Sequence, residues 1–225
     1  MNIRNAELAD LEEIIQIYNA AIPGRMATAD TNPVTLKSRL EWFRGHSQHY
    51  PLWVLEGQKE AGVERQLCWR DLFERNLYSS QSPSVLKDRK PVFLEGEGMK
   101  NIPPASCPLP PAFRGRSLGQ KGIAGWLSFR PFYGRPAYHT TAEIGLYVAP
   151  ANHRQGIGQQ LLESAIFHSP NLGLQTLLGF IFAHNTPSLN LFQKLGFQQW
   201  GYLPQVALLD NMKRDLIILG YRVNP

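Results

Sequence analysis

Apolar residues at Leu11, Ile14, Ile15 and Tyr18 recur at the spacing of one helix face, and Asp10 with Glu13 offers a capping pair ahead of them. Met1 to Arg4, just upstream, is short enough to open a sheet. After a loop carrying Pro23 and Pro33, Thr35 can cap a second helix that holds Leu36, Leu40 and Phe43, and Pro51 leads into the strand pattern PLWVLE. Strand character returns at GIAGWLSFR, residues 122–130, and again in the run that starts at Glu143, EIGLYV. LLGFIF reads as a buried strand. A helix follows in which Thr186 is the expected cap and Pro187 the first residue, with Leu189, Phe192 and Leu195 inside and Gly196 ending it. Residues 199–223 supply two more strands, the last being DLIILGYRV. The predicted order is β-α-α-β, an interruption, then β-β-α-β-α-β-β, a mixed α/β sheet with helices on both faces.

The interruption spans 58–121. CWRDLFERNLY within it could form an amphipathic helix, but seven prolines fall between Pro83 and Pro111, and no sheet strand runs through such a stretch. The segment reads as an insertion between two core strands of a single domain, 1–225. It also holds most of the charge excess, with 11 Lys and Arg against 7 Asp and Glu in a chain of net charge +5. Those basic residues are dispersed among acids, which argues against nucleic-acid binding.

The chain has no apolar run of 18 residues, and MNIRNAELAD lacks a signal-peptide pattern, so a soluble cytoplasmic protein without a membrane partner is expected. Cys68 and Cys107 lack metal or redox spacing, and His46 with His49 has no acidic or cysteine partner at ligand spacing. The expectation is reduced thiols and no metal.

Chemistry concentrates in Glu143 to Leu162, EIGLYVAPANHRQGIGQQLL: a strand, a loop with Arg154, Gly156 and Gly158, and a helix with Ile157, Leu161, Leu162, Ala165 and Ile166 on one face. A glycine turn at a helix start converges unpaired N–H groups with the positive end of the helix dipole, which suits a phosphate. HRQGIG lacks the lysine and hydroxyl residue of a P-loop and the early position of a dinucleotide fingerprint.

The loop resembles the acyl-CoA loop of the GNAT acetyltransferase superfamily, [Q/R]xxGx[G/A]. Three segments in order resemble its phosphinothricin N-acetyltransferase-like branch: IYNAAI with Thr28, Pro33, Trp42 and Pro51; RPAY followed by TAEIGLYV; and HNTPSLNLFQKLGF with Gly201 beyond. The resemblance implies the GNAT fold, a mixed and mostly antiparallel central sheet with helices on both faces, here carrying the inserted segment. It implies acetyl-CoA as acetyl donor, held by main-chain pairing at Leu146, Tyr147 and Val148, by the loop residues His153, Arg154, Gln155, Gly156, Ile157 and Gly158, and by Asn185 and Ser188. Helix capping is an alternative role for the last two.

Glu143 matches the family's proposed base. An amine attacks a thioester only as the neutral species, and a carboxylate in an otherwise apolar strand can take its proton, although a solvent-facing glutamate is the bland alternative. Arg135 and Tyr138 match positions that line the acceptor pocket in this branch; a solvated loop arginine is the other reading of Arg135. Against this pattern, His153 and Arg154 depart from the usual loop, and Phe192 stands where many relatives carry a tyrosine to protonate the leaving thiolate. The function implied is transfer of acetyl from acetyl-CoA to the amine of a small amino-acid-like acceptor. The alternatives are a CoA-binding sensor or scaffold without turnover, or a protein or peptide N-acetyltransferase. A homodimer is allowed for.

Overall fold

The computed structural model describes residues 2–57 and 122–223. The segment expected to be an insertion, 58–121, and the helix expected at CWRDLFERNLY therefore lie outside the described residues.

Seven strands form one sheet in the order β1-β2-β3-β4-β5-β7-β6: β1 (Asn2–Asn5), β2 (Leu52–Gly57), β3 (Gly122–Pro131), β4 (Thr141–Val148), β5 (Thr176–Phe182), β6 (Gln198–Leu209) and β7 (Met212–Arg222). Every adjacent pair is antiparallel except β4 and β5. Four helices cover it among the described residues: α1 (Leu11–Ala21), α2 (Leu36–Arg44), α3 (Ile157–His168) and α4 (Thr186–Lys194). The element order is the one that the hydrophobic pattern predicts.

Two clusters of buried side chains mark the two faces. On one, Ile14 and Ile17 of α1 pack on Leu52, Val54, Ile123 and Trp126, with Trp42 and Phe43 of α2 against them. On the other, Ile157, Leu161, Leu162 and Ala165 of α3 and Leu189 and Phe192 of α4 cover Leu55, Leu127, Phe129 and Ile144. Alternation along β3 and β4 supplies both: Trp126, Ser128 and Arg130 stand opposite Tyr147, Gly145 and Glu143, and the residues between them face the other way. Each fully buried Leu or Ile contributes roughly 1.5–3 kcal/mol, so these contacts anchor the helices on the two faces of the sheet.

Thr35 caps α2 as expected, in a reciprocal pair with Ser38. Two expected caps differ. Asp10 pairs with Glu7 across a short 3-10 turn, Leu8–Asp10, rather than with Glu13, because its carboxylate also accepts two bonds from Arg4 at 2.7 and 2.9 Å. The cap of α4 is Asn185 rather than Thr186: Asn185 Oδ1 accepts from the Ser188 amide at 3.2 Å, which moves Pro187 to the second helical position.

Candidate active site

The parallel contact between β4 and β5 is short. Thr141, Ala142 and Glu143 pair with Thr176, Leu177 and Leu178, and from Ile144 onward the strands diverge. Between them lies a cleft of about 420 Å³, lined on the β4 side by Glu143 to Tyr147, on the β5 side by Phe180 to Phe182, and by Asn185, Ser188 and Phe192 at α4. β4 remains paired with β3 on its other edge, so its main-chain groups beyond Glu143 face the opening. Leu146, Tyr147 and Val148, expected to pair with a pantetheine arm, stand on that edge.

The α1–α2 loop forms the rest of the wall through Met26 to Asp30, and three successive carbonyls of this loop are held from behind. His184 Nε2 donates to Arg25 O at 2.8 Å, Asn185 Nδ2 to Met26 O at 3.0 Å, and the Tyr147 hydroxyl to Ala27 O at 3.1 Å. Arg25, at φ 52°, also ties the loop to Asp210 at the β6–β7 turn with bonds of 2.8 and 3.0 Å. Asn185 thus spends both ends of its amide on structure, as helix cap and as loop tether, and is 6% exposed. Ser188 lines the cleft.

A smaller cavity of about 90 Å³ shares Tyr18, Arg39, Arg130, Gly145 and Tyr147 with the main cleft and adds Ile14, Trp42, Trp126 and Ser128. Tyr147 stacks on Trp126 with ring centres 4.5 Å apart and tilts against Tyr18 at 5.0 Å. Tyr18 donates to Asp30 at 2.6 Å and shares a 2.5 Å bond with Thr28, while Arg39 donates to Asp30 at 2.8 Å. Burial raises the Tyr147 phenol well above its ordinary value, and burial followed by the Asp30 contact raises that of Tyr18. Both stay protonated donors at neutral pH.

Glu143 sits at the last rung before the strands part and lines the cleft, 26% exposed. Its carboxylate accepts from Arg130, its cross-strand partner on β3, whose side chain is 47% exposed. Arg130, Arg39 and Asp30 are not among the expected site residues, and Tyr18 is expected only on the buried face of α1. The only local signal of the three charged residues is polarity, because cross-strand register and loop closure are not written in a short stretch of sequence.

The loop ahead of α3 has the expected form. Gly156 caps the helix at φ 79°, a left-handed conformation, and a Cβ built there would meet no atom within 4 Å, so the mouth of the helix N-terminus is open. His153 Nε2 donates to Val148 O and Gln155 Nε2 to Ala151 O, each at 3.0 Å; both brace the loop from within. Arg154 is exposed at φ 61°, leaving its guanidinium as the loop's outward-facing cation. The Ile157 side chain is in the core. Gly158 allows close packing, since a Cβ there would stand 3.1 Å from Leu191 and 3.4 Å from Leu146.

Arg135 and Tyr138, expected to line an acceptor pocket, lie on the exposed β3–β4 connection, where Arg135 precedes the 3-10 turn Pro136–Tyr138. Neither lines either cavity. The Tyr138 ring packs on Phe132, centres 5.5 Å apart, and Phe132 lies parallel to Phe180 at the cleft wall at 6.4 Å. Phe192 is 3% exposed and presents an apolar ring, packed on Phe197 at 4.8 Å, at the position where the resemblance would lead one to look for a tyrosine hydroxyl. Among the described residues no group of three His, Cys, Asp or Glu side chains could hold a metal ion, and no helix is long and apolar enough to cross a membrane.

Comparison with known proteins gives this geometry a family. Residues 75–197 match the Acetyltransferase (GNAT) family. The chain is 36% identical to the Bacillus subtilis (strain 168) protein named "Putative phosphinothricin acetyltransferase YwnH", over 98% of each. It is 25% identical to the L-methionine sulfoximine/L-methionine sulfone acetyltransferase of Pseudomonas paraeruginosa (strain DSM 24068 / PA7), over 100% of this chain and 95% of that one. The structure of yncA from Salmonella typhimurium with its cofactor acetyl-CoA shares the fold, with a TM-score of 0.67 at 22% identity over 100% of this chain and 95% of that one. This chain belongs to the GNAT acetyltransferase family, is related to its phosphinothricin acetyltransferases, and is an acyltransferase.

Proposed function

We propose that this chain moves an acetyl group from acetyl-CoA directly to the amine of a small amino-acid-like acceptor, with Glu143 as general base. The observation that carries the reading is the parting of β4 and β5 immediately after Glu143, which puts a carboxylate at the apex of a cleft whose wall is an unpaired strand edge. That edge suits a pantetheine arm, which can take main-chain bonds as an added strand does. The open left-handed turn at Gly156, the exposed Arg154 and the α3 N-terminus suit a pyrophosphate. Acetyl-CoA, when bound, would supply an acetyl thioester: the new N–C bond replaces the C–S bond, and the departing sulfur would take up the second proton that the acylated nitrogen sheds.

The chain's own residues do the rest. Glu143 takes the proton of the acceptor's ammonium group, directly or through one water, and so exposes the nitrogen lone pair. Gly145 to Tyr147 and Phe180 to Phe182 form the two walls between which the acceptor and acetyl group would meet, while Tyr18, Trp42, Trp126 and Tyr147 give the side cavity an aromatic lining. Arg130, nearly half exposed at the cleft, offers a guanidinium that suits a carboxylate beside the amine. Phe192 offers no proton, so the thiolate leaves without a tyrosine's help at that position.

The same reading keeps 1–225 as one GNAT domain with 58–121 inserted between β2 and β3, supported by the direct pairing of Gly57 with Gly122. A cytoplasmic setting fits the use of acetyl-CoA. A homodimer fits the exposed apolar side chains of β6, among them Trp200, Tyr202, Val206 and Leu208. Release of free CoA thiol, followed over a panel of amino acids, amino-acid analogues including L-methionine sulfone, and peptides, tests the acceptor class. Release with peptides only would contradict it.

A further inference from the structure

Four charged side chains line the two cavities, and they form two pairs of unlike character. Asp30 and Arg39 are locked: Asp30 also accepts from Tyr18, and the Arg39 guanidinium lies 4.8 Å from the Tyr18 ring centre and 5.7 Å from that of Trp42. Among the described residues Arg130 and Glu143 hydrogen-bond only to each other, and the Arg130 side chain is nearly half exposed at the cleft. In this arrangement one oxygen of Glu143 already accepts from a cation. An ammonium group approaching it meets the guanidinium's like charge and a partly occupied acceptor.

We propose that Arg130 is a latch on Glu143, closed in the empty site and opened by the acceptor's own carboxylate. The inference rests on the proposed role of Glu143 as base. A carboxylate one carbon from the attacking amine presents two oxygens to the guanidinium fork, a geometry that Arg binds in bidentate fashion. Arg130 exchanges one carboxylate for another, Glu143 is left facing the ammonium, and no proton is gained or lost in the exchange. An ion pair this exposed is weak, so the exchange is readily reversible. Arg130 is then a positioning residue that couples acceptor identity to base availability, and plain amines are disfavoured because they offer the guanidinium no carboxylate in exchange.

The latch is tested with acetyl-CoA and two acceptors, L-methionine sulfone and the amine of the same skeleton without the carboxylate, 3-(methylsulfonyl)propan-1-amine. Parent, Arg130→Gln and Arg130→Gln/Glu143→Gln are compared by kcat/KM. Arg130→Gln should lower the value for the amino acid by about 10²-fold. It should raise that for the plain amine roughly two- to fivefold, the population factor that an exposed ion pair controls. The gain should vanish in the double variant. If the plain amine is acetylated no faster by Arg130→Gln than by the parent, Arg130 only binds the acceptor or orients Glu143, and the latch is overturned while the proposed function stands. If the parent acetylates neither compound, the acceptor class itself fails and takes the latch with it.

Discussion

Glu143 and Leu178 form the last rung between β4 and β5, and no rung follows as β4 runs on to Val148. An unpaired buried amide or carbonyl costs about 1–3 kcal/mol, so a strand edge left open beside a cleft is stabilised by whatever pairs with it. A ligand that binds the folded chain alone also raises its stability, by about 2.7 kcal/mol at a hundred times its Kd.

Acetyl-CoA should therefore raise the melting temperature of the parent protein in a concentration-dependent way. Gly156→Val should abolish most of that rise, because a β-branched residue at φ 79° is strained and its side chain occupies the open mouth of the α3 N-terminus. Calorimetry should show acetyl-CoA affinity reduced by at least about tenfold. Unchanged affinity in a folded Gly156→Val protein would place the pyrophosphate elsewhere.

Asn185→Ala should cost about 2–3 kcal/mol in chemical denaturation, the sum of a lost N-cap and a lost buried tether to Met26. Ser188→Ala should cost less than about 1 kcal/mol, since only the Ser188 amide takes part in the cap. Equal losses in the two variants would mean that neither the Asn185 cap nor its tether to Met26 stabilises the fold.

Much of this fold was legible in the sequence because its signals are local. Thr35 ahead of an amphipathic run, Gly156 before Ile157, and the switch from alternating to helical periodicity after Val148 each act over a few residues. The α4 cap was missed by one residue because Asn185 and Thr186 are both good caps and proline fits the first or second helical position; the Met26 tether decides for Asn185. The open edge of β4, the Arg130–Glu143 pair and the three tethered carbonyls of the α1–α2 loop had no such signature. They depend on which strands part, on register across β3 and β4, and on residues about 120 to 160 positions apart. The expected acceptor residues Arg135 and Tyr138 fell on an exposed connection, whose path no hydrophobic pattern fixes.

His46 gives the fold a pH dependence. Burial beside Trp42 holds its imidazole below the ordinary value near 6.5, the Arg130 charge lowers it further, and Nε2 is buried without a partner among the described residues. The unfolded chain binds this proton more readily, so the contribution is complete above pH 6.5 and is lost as pH falls through the lower folded value. Between pH 7.5 and pH 5 the melting temperature of the parent should fall more steeply than that of His46→Phe. Parallel curves would show that His46 charges freely in the folded protein.

Gly57 and Gly122 are register partners at the open end of β2 and β3, so a short turn can join them. A chain in which such a turn replaces residues 58–121 should remain folded and bind acetyl-CoA, because both flanking strands keep their pairing. Insoluble or unfolded product would show that the segment supplies part of the core.

The central claim is that Glu143 takes the acceptor's proton at the point where β4 and β5 part, and Glu143→Gln tests it most directly. The amide keeps the volume and the cross-strand position opposite Arg130 but cannot accept the proton. With a cognate acceptor near neutral pH and chemistry rate-limiting, turnover should fall by roughly 10² to 10⁴ while acetyl-CoA affinity stays at the parent's value, and the loss should shrink at high pH, where free amine is abundant. Full turnover by Glu143→Gln under those conditions would contradict the account.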